Sequence, residues 1–350
     1  MASAPDSRID HTSAKIATVV NRAVPGLLLA IFITVCAWGI AGLTGLPGIL
    51  LALLFGLAAQ PFLRGNTYEP GLEIAARKLL RFGVALLGAG VVASDIAALG
   101  WPVLVLCLIG VAFTLAVGCV SARILRSDTA SGLLFGGAVA ICGASAALAI
   151  SAALPQTREN ESKTLLAVLG VTALSTVAMV LYPLIATQLE MTDKAAGVFF
   201  GATIHDVAQV VGAGYMISDT AGETATMVKL VRVACLVPVV AIIAYLMSSK
   251  SGTCADQIVS GRVKILPVFL IGFVALSIVA SSGLVPPLVL EGLASAGKAL
   301  LVLAIAALGC LTSLQSIWRI GWTPVILLVI PTLALAAFAL LAVISFSAFH

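Results

Sequence analysis

Eleven stretches of this chain are long and apolar enough to cross a lipid bilayer. They lie at about 25–44, 46–63, 78–94, 101–124, 130–153, 163–188, 194–216, 224–248, 264–282, 293–314 and 323–348. A spanning helix needs roughly 20 mostly apolar residues. In lipid every backbone N–H and C=O must find its partner inside the protein, which leaves helices and closed barrels. These runs are too long, and too helical in pattern, for the alternating strands of a barrel. The expected fold class is therefore an all-α integral membrane protein with about eleven transmembrane helices. Composition agrees: 61% of residues are hydrophobic, 10% are charged and mean hydropathy is +1.17. Soluble domains have about 25% charged residues. Abundant Ala and Gly let such helices approach closely. The second and third stretches are short, which suits tilted, broken or packed-in helices as well as full spans.

Charge placement orients the chain. With the N-terminus in the cytoplasm, fourteen of the 19 Lys and Arg fall on the cytoplasmic side. The other five are Arg158, Lys163, Lys229, Arg232 and Lys298. Positive charge stays inside, so eleven spans predict a multi-pass chain with its N-terminus cytoplasmic and its C-terminus periplasmic. Residues 1–24 form a polar cytoplasmic segment without the apolar core and cleavage site of a signal peptide, and 25–350 form the membrane domain. Of the seven cysteines, Cys36, Cys107, Cys119, Cys142, Cys235 and Cys310 sit inside predicted spans and Cys254 in a loop. Reduced thiols without metal-ligand spacing are expected.

Two internal repeats stand out. "ALLGAGVVASDIAALGW" (85–101) aligns with "AALGCLTSLQSIWRIGW" (306–322), sharing Leu-Gly and Gly-Trp. The blocks around them, about 46–124 and 264–348, are seven spans apart and so face opposite ways. That is the inverted repeat of secondary transporters, although chance similarity between apolar stretches is the competing explanation. "DTASGLLFG" (128–136) also aligns with "DKAAGVFFG" (193–201). Both open a span with an Asp suited to a helix N-terminus. Counted as full spans, these two run the same way, which a simple inverted repeat does not explain.

The polar residues cluster between these blocks, at about 128–248. "GVFFGATIHDVAQVVGAGY" (197–215) carries His205, Asp206 and Gln209 about twelve residues into a span. Ionisable groups at that depth are rare and face a cavity or a partner. As one helix, it would put His205 and Gln209 on a shared face. A neutral His beside a carboxylate can take up a proton near neutral pH, which marks His205 and Asp206 for proton coupling. A structural His bonded to a carbonyl is the plainer reading. At the matching depth, "CGASA" (142–146) is small throughout. If the helix unwinds at Cys142 and Gly143, backbone N–H groups there, with Ser145, can hold an anion. Tight helix packing accounts for the same residues. The next span adds Lys229 and Arg232 on one face. These can pair with Asp206 or line an anion path, or Lys229 can snorkel to the interface. The candidate substrate-binding set is thus Cys142, Gly143, Ser145, His205, Gln209, Lys229 and Arg232. A phosphate loop, a Ser nucleophile elbow and a zinc-binding His-Glu-x-x-His are absent, so neither ATP-driven transport by this chain nor an enzyme is expected. No cofactor and no nucleic acid is implied.

"LLRFGVALLGAG", "ICGASAALA", "MVLYPLI", "GATIHDVAQVVGAGY" and "VKLVRVACLVPV" stand in one order along the chain. In this it resembles the bacterial YeiH-type family, assigned as sulfate exporters, from about residue 40 to the end. Where that family usually has Glu after the histidine, this chain has Asp206. Where it has a small polar residue after Cys-Gly, this chain has Ala144, which leaves a backbone role there but weakens a side-chain one. The resemblance implies the cation–proton antiporter and anion transporter superfamily, with an inverted-repeat fold and broken helices at the midplane of the bacterial inner membrane. It implies export of a small anion: sulfate, a related sulfur oxyanion or an organosulfonate. A proton or sodium ion would be the coupling ion. Dimers are common in related folds, so a homodimer is compatible with it. A cation–proton antiporter, and a non-transporting sensor or scaffold subunit, are the alternatives.

Overall fold

A computed structural model describes residues 7–63, 67–91, 93–248, 268–312 and 322–345, with side chains from 22 onward except 93–98. Regular structure among the described residues is helical. Among the described residues, six helices are long and apolar enough to cross a membrane, and five shorter apolar ones accompany them. The chain divides into two compact units: residues 1–83 with 298–312, and residues 84–297 with 313–350.

The first unit holds α1 (Ser7–Thr44), α2 (Gly48–Ala59) and α3 (Glu69–Glu73). From α3 a π-helical turn at Ile74–Leu79 leads into α4 (Leu80–Leu87). The C-terminal part of helix Pro287–Leu311 completes this unit. The polar segment expected at 1–24 enters α1 at Ser7 without a break. Backbones meet at glycine. Gly26 lies against Gly71, and Gly56 against Gly309, with no room for a Cβ at either place. Contacts this close rest on dispersion and small residues, since lipid offers no hydrophobic drive between helices.

The second unit carries α5 (Ala93–Ile124), α6 (Thr129–Ala140), α7 (Ala144–Ala153) and α8 (Arg158–Gln188). It continues with α9 (Asp193–Thr203), α10 (Val207–Ile217), α11 (Asp219–Ala234) and α12 (Leu236–Ser248). After residue 267 come α13 (Val268–Ser281), the start of α14 (Pro287–Leu311), and α15 (Trp322–Ser345). Gly100 (φ 68°, ψ 174°) divides α5, so its long apolar part starts at Trp101. Trp322 likewise opens α15, and the two helices pack together with Phe113 stacked on Phe338 at 5.2 Å. Residues 313–321, which include much of the second copy of this repeat, lie outside the described residues, as do Lys250, Cys254, Arg262 and Lys264. α11 stops at Ala234 because Pro238, four residues on, has no N–H for that carbonyl and its ring crowds it.

Two of the expected spans are not straight. The stretch 130–153 is α6 and α7 folded back on each other. A continuous helix would put Asp128 and Ser151 more than about 30 Å apart. Instead both ends sit at the start of α8. Asp128 Oδ1 pairs with Lys163 Nζ at 2.9 Å, and the Thr164 and Ser151 hydroxyls are hydrogen-bonded at 2.7 Å. Gly137 of α6 faces Ile150 of α7. The stretch 194–216 is also a hairpin. Gly197 of α9 and Gly214 of α10 both lie against Ala221 near the start of α11.

The hairpins enter from opposite ends of α8. The base of α6–α7 is at Lys163 and Thr164. The tip of α9–α10 is at mid-helix, where Asp206 N donates to Ser175 Oγ at 3.0 Å. Its first arm then runs back toward the end of α8, with Phe199 on Tyr182 at 5.1 Å. Arms of 10 to 12 residues reach about 15–18 Å, roughly half the thickness of a bilayer's hydrocarbon core. Two of the about eleven expected spans are thus hairpins, and Asp128 and Lys163 lie at one end of the first. This also resolves the second repeat: α6 and α9 are equivalent first arms that enter from opposite ends. Their caps differ. Asp128 accepts from Ser131 N at 3.3 Å, whereas α9 is capped by Thr192, with Asp193 its first residue.

Candidate functional site at the hairpin tips

Each hairpin turns through a short non-helical segment. α6 ends at Ala140, and Ile141, Cys142 and Gly143 make the turn. Gly143 (φ 64°, ψ −125°) holds a conformation that a side chain resists. α9 ends at Thr203, and Ile204, His205 and Asp206 make the second turn. The turns meet, since a Cβ on Gly143 would lie 3.6 Å from that of His205.

Two helix C-termini therefore converge, each leaving backbone carbonyls without intrahelical partners and a negative dipole end. Lys229 and Arg232 of α11 answer both. Lys229 Nζ donates to Ile141 O at 2.7 Å and Ile204 O at 2.8 Å. Arg232 Nε and Nη2 donate to Ala140 O at 3.2 and 2.6 Å, and Nη2 also to Val139 O at 3.0 Å. Its Nη1 donates to Gly201 O at 3.2 Å and Ile204 O at 3.4 Å. Both side chains are buried, at 0% and 1% exposure. Snorkelling of Lys229 is thus excluded. The direct anion contact expected of Arg232 is corrected too, since a guanidinium has five N–H groups and five hydrogen bonds to carbonyls engage it. Its charge remains in the site. Lys229 keeps one N–H beyond its two carbonyls.

The second arms present two positive helix ends. That of α10 is capped by Asp206, whose Oδ1 accepts from Ala208 N at 3.3 Å. That of α7 starts at Gly143 with no side-chain cap. There Ser145 is exposed and Ala144 partly so, while Cys142 and Gly143 are buried. His205 and Gln209 do not share a helix face, because His205 lies in the turn and Gln209 in the first turn of α10. His205 Nε2 lies 3.0 Å from Thr332 Oγ1 of α15. Gln209 Nε2 donates to Thr176 Oγ1 of α8 at 3.4 Å. Two buried side-chain atoms have no partner among the described residues: His205 Nδ1 and Gln209 Oε1. Native structures rarely leave such atoms bare.

Ser175, Thr176 and Thr332 join the site without any signal in their own segments. A hydroxyl in an apolar helix ordinarily bonds the carbonyl four residues back. Thr176 and Thr332 do this, to Thr172 O at 3.0 Å and Leu328 O at 2.7 Å. Only the fold shows that they also touch the tips.

These features define a polytopic helical membrane protein with a buried polar junction between two helical hairpins. The chain belongs to the family described as "Conserved hypothetical protein 698", whose profile it matches over residues 25–328. It is 43% identical to the UPF0324 membrane protein TauZ of Paracoccus denitrificans, over 91% of this chain and 94% of that one. It is 40% identical to UPF0324 membrane proteins of Chlorobaculum tepidum, over 91% and 89% of the two chains, and of Rhizobium meliloti, over 95% and 96%. The YeiH-type resemblance agrees with this membership. No solved structure matches the chain.

Proposed function

We propose that this protein is a secondary transporter of a small anion, with sulfate or an organosulfonate as first candidates, moved through the junction of the two hairpins. The observation that carries this reading is the uncapped N-terminus of α7, opening at exposed Ser145 beside a buried His205 and two buried cations. A buried oxyanion needs several N–H donors and partial charge compensation. The N–H groups of Ala144 and Ser145, the Ser145 hydroxyl and the remaining N–H of Lys229 supply the donors. Arg232 adds charge. Non-helical backbone at membrane depth is tolerated where it is buried in protein, and Ile141–Gly143, Ile204 and His205 are buried.

In this reading α6–α8 and α9–α12 are the halves of an inverted repeat, each a hairpin followed by a spanning helix. The charge pattern then sharpens. With the α6–α7 hairpin entering from the cytoplasm, Arg158 and Lys163 join the cytoplasmic side and Lys194 leaves it. Outward transport in a bacterial inner membrane follows from the family resemblance.

The test is uptake of radiolabelled sulfate, and of an organosulfonate, into proteoliposomes under an imposed pH gradient. Flux of either is expected. Sodium–proton exchange with no anion flux would establish the rival antiporter, with Asp206 as its carboxylate. An absence of all flux would favour a sensor or scaffold subunit.

A further inference from the structure

We propose that the anion is bound together with one proton, held on Nδ1 of His205, and that Thr332 is the positioning residue that leaves that nitrogen free. This rests on the anion reading above and adds its coupling chemistry.

The geometry of α15 carries the inference. Thr332 Oγ1 lies 2.7 Å from Leu328 O. Two oxygens that close need a proton between them, and the hydroxyl has only one. Thr332 therefore donates to Leu328 and accepts from His205. The ring nitrogen 3.0 Å away, Nε2, must carry the hydrogen. A neutral imidazole has one N–H, so Nδ1 holds a buried lone pair that makes no hydrogen bond of ordinary geometry among the described residues, with the Val139 carbonyl, itself an acceptor, beside the ring.

The same logic holds on α8. Thr176 donates to Thr172 O at 3.0 Å and accepts from Gln209 Nε2. That fixes the amide so that Oε1 is the unpartnered atom. Both bare atoms at the junction are thus acceptors. A bare anion brings only more acceptors, so the site as it stands lacks a proton.

Protonation completes it. Hydronium transfers its proton to the Nδ1 lone pair, an N–H bond forms and water leaves. The imidazolium then donates from Nδ1 to the anion and from Nε2 to Thr332. The new charge and the anion offset each other beside Lys229 and Arg232 on α11. The other ionisable neighbours among the described residues are Cys142 on the opposing tip and Asp206 at the start of α10. α8 brings Ser175 and Thr176, and α15 brings Thr332. Because proton and anion share one site, they cross in the same direction. The proton enters where Ser145 and Asp206 retain exposed surface.

The experiment uses the full chain in lipid nanodiscs, with His11 and His350 replaced by Gln so that His205 is the single histidine. Nitrogen-15 NMR reads its tautomer and charge at pH 7.5, with and without sulfate or ethanesulfonate. A neutral Nε2–H ring is expected without anion, and a doubly protonated ring with it. Anion affinity should fall about tenfold per pH unit between the free-state and the bound-state titrations of the ring, as linkage of one proton requires. Thr332→Val should give mixed tautomers, and Thr332→Ser should restore Nε2–H. A ring that stays neutral while anion is bound would overturn the coupling and leave the transporter reading intact. An Nδ1–H ring in the unsubstituted site, or a Thr332→Val protein with unchanged tautomer, would overturn the positioning role. If neither anion binds at any pH, the anion reading itself fails.

Discussion

Arg232 is the largest fully buried side chain among the described residues, and it acts as a clamp. Its donors tie the C-terminus of α6 to that of α9, so one residue holds both hairpins at their tips. Removing it leaves several buried carbonyls unsatisfied beside a bilayer that offers no water. Arg232→Met should therefore destabilise the folded protein by about 3–5 kcal/mol, the range for breaking a buried charged network. Thermal unfolding in detergent or nanodiscs checks this. Arg232→Lys, with three donors on a flexible stem, should recover only part of the loss. The residue pattern marked Lys229 and Arg232 as unusual, because cations at membrane depth are rare. It could not distinguish an anion ligand from a clamp, since that depends on which carbonyls the fold delivers to them.

The hairpin α6–α7 owes its closure at the base to Asp128, which serves three partners. It caps α6 through Ser131 N, is bonded to the Ser131 hydroxyl and pairs with Lys163 of α8. Partial burial pulls its carboxyl upward, but the bonds from Ser131 and Lys163 outweigh that and hold it below the usual carboxylate value. The sign follows. A depressed folded-state value means that the stabilisation is present above the unfolded value, about 4, and is lost as pH falls through the folded one. The side chain is 50% exposed, so the ion pair contributes little and the cap contributes most. Asp128→Asn, which retains the capping geometry, should change stability at neutral pH by less than about 1 kcal/mol, and Asp128→Ala by about 1 kcal/mol. Acid titration of stability below about pH 4 should flatten in both variants. Hydropathy could not reveal the fold-back, because a straight helix and a hairpin of the same residues have the same apolar content. The repeated Asp-x-Ala start carried one hint, as two elements with equivalent roles and no consistent direction, and the small residues at 142–146 carried another.

At the scale of the molecule, sidedness is the sharpest consequence. Eleven straight spans put Lys163 outside and Lys194 inside. Two hairpins exchange them, because each hairpin returns to the face it left. In a cysteine-free background, Lys163→Cys should react with an impermeant maleimide only when the cytoplasmic face is open. Lys194→Cys should react in intact spheroplasts. The opposite pattern would restore straight spans. Either count is odd or even in the same way overall, so the termini are a poor probe and these two loops are the informative ones.

What the sequence determined by itself is the class: a membrane protein built of helices, because apolar runs of this length leave the backbone no other way to satisfy its hydrogen bonds. It also determined where the unusual chemistry lies, because charge and small residues at bilayer depth are costly enough to be informative. The tertiary structure alone decided that Asp128 meets Lys163, that Gly143 meets His205, and that Thr332 reaches the ring from a helix over a hundred residues away. Direction, pairing and tautomer are set by which groups converge in space. A local pattern of hydropathy carries no information on that.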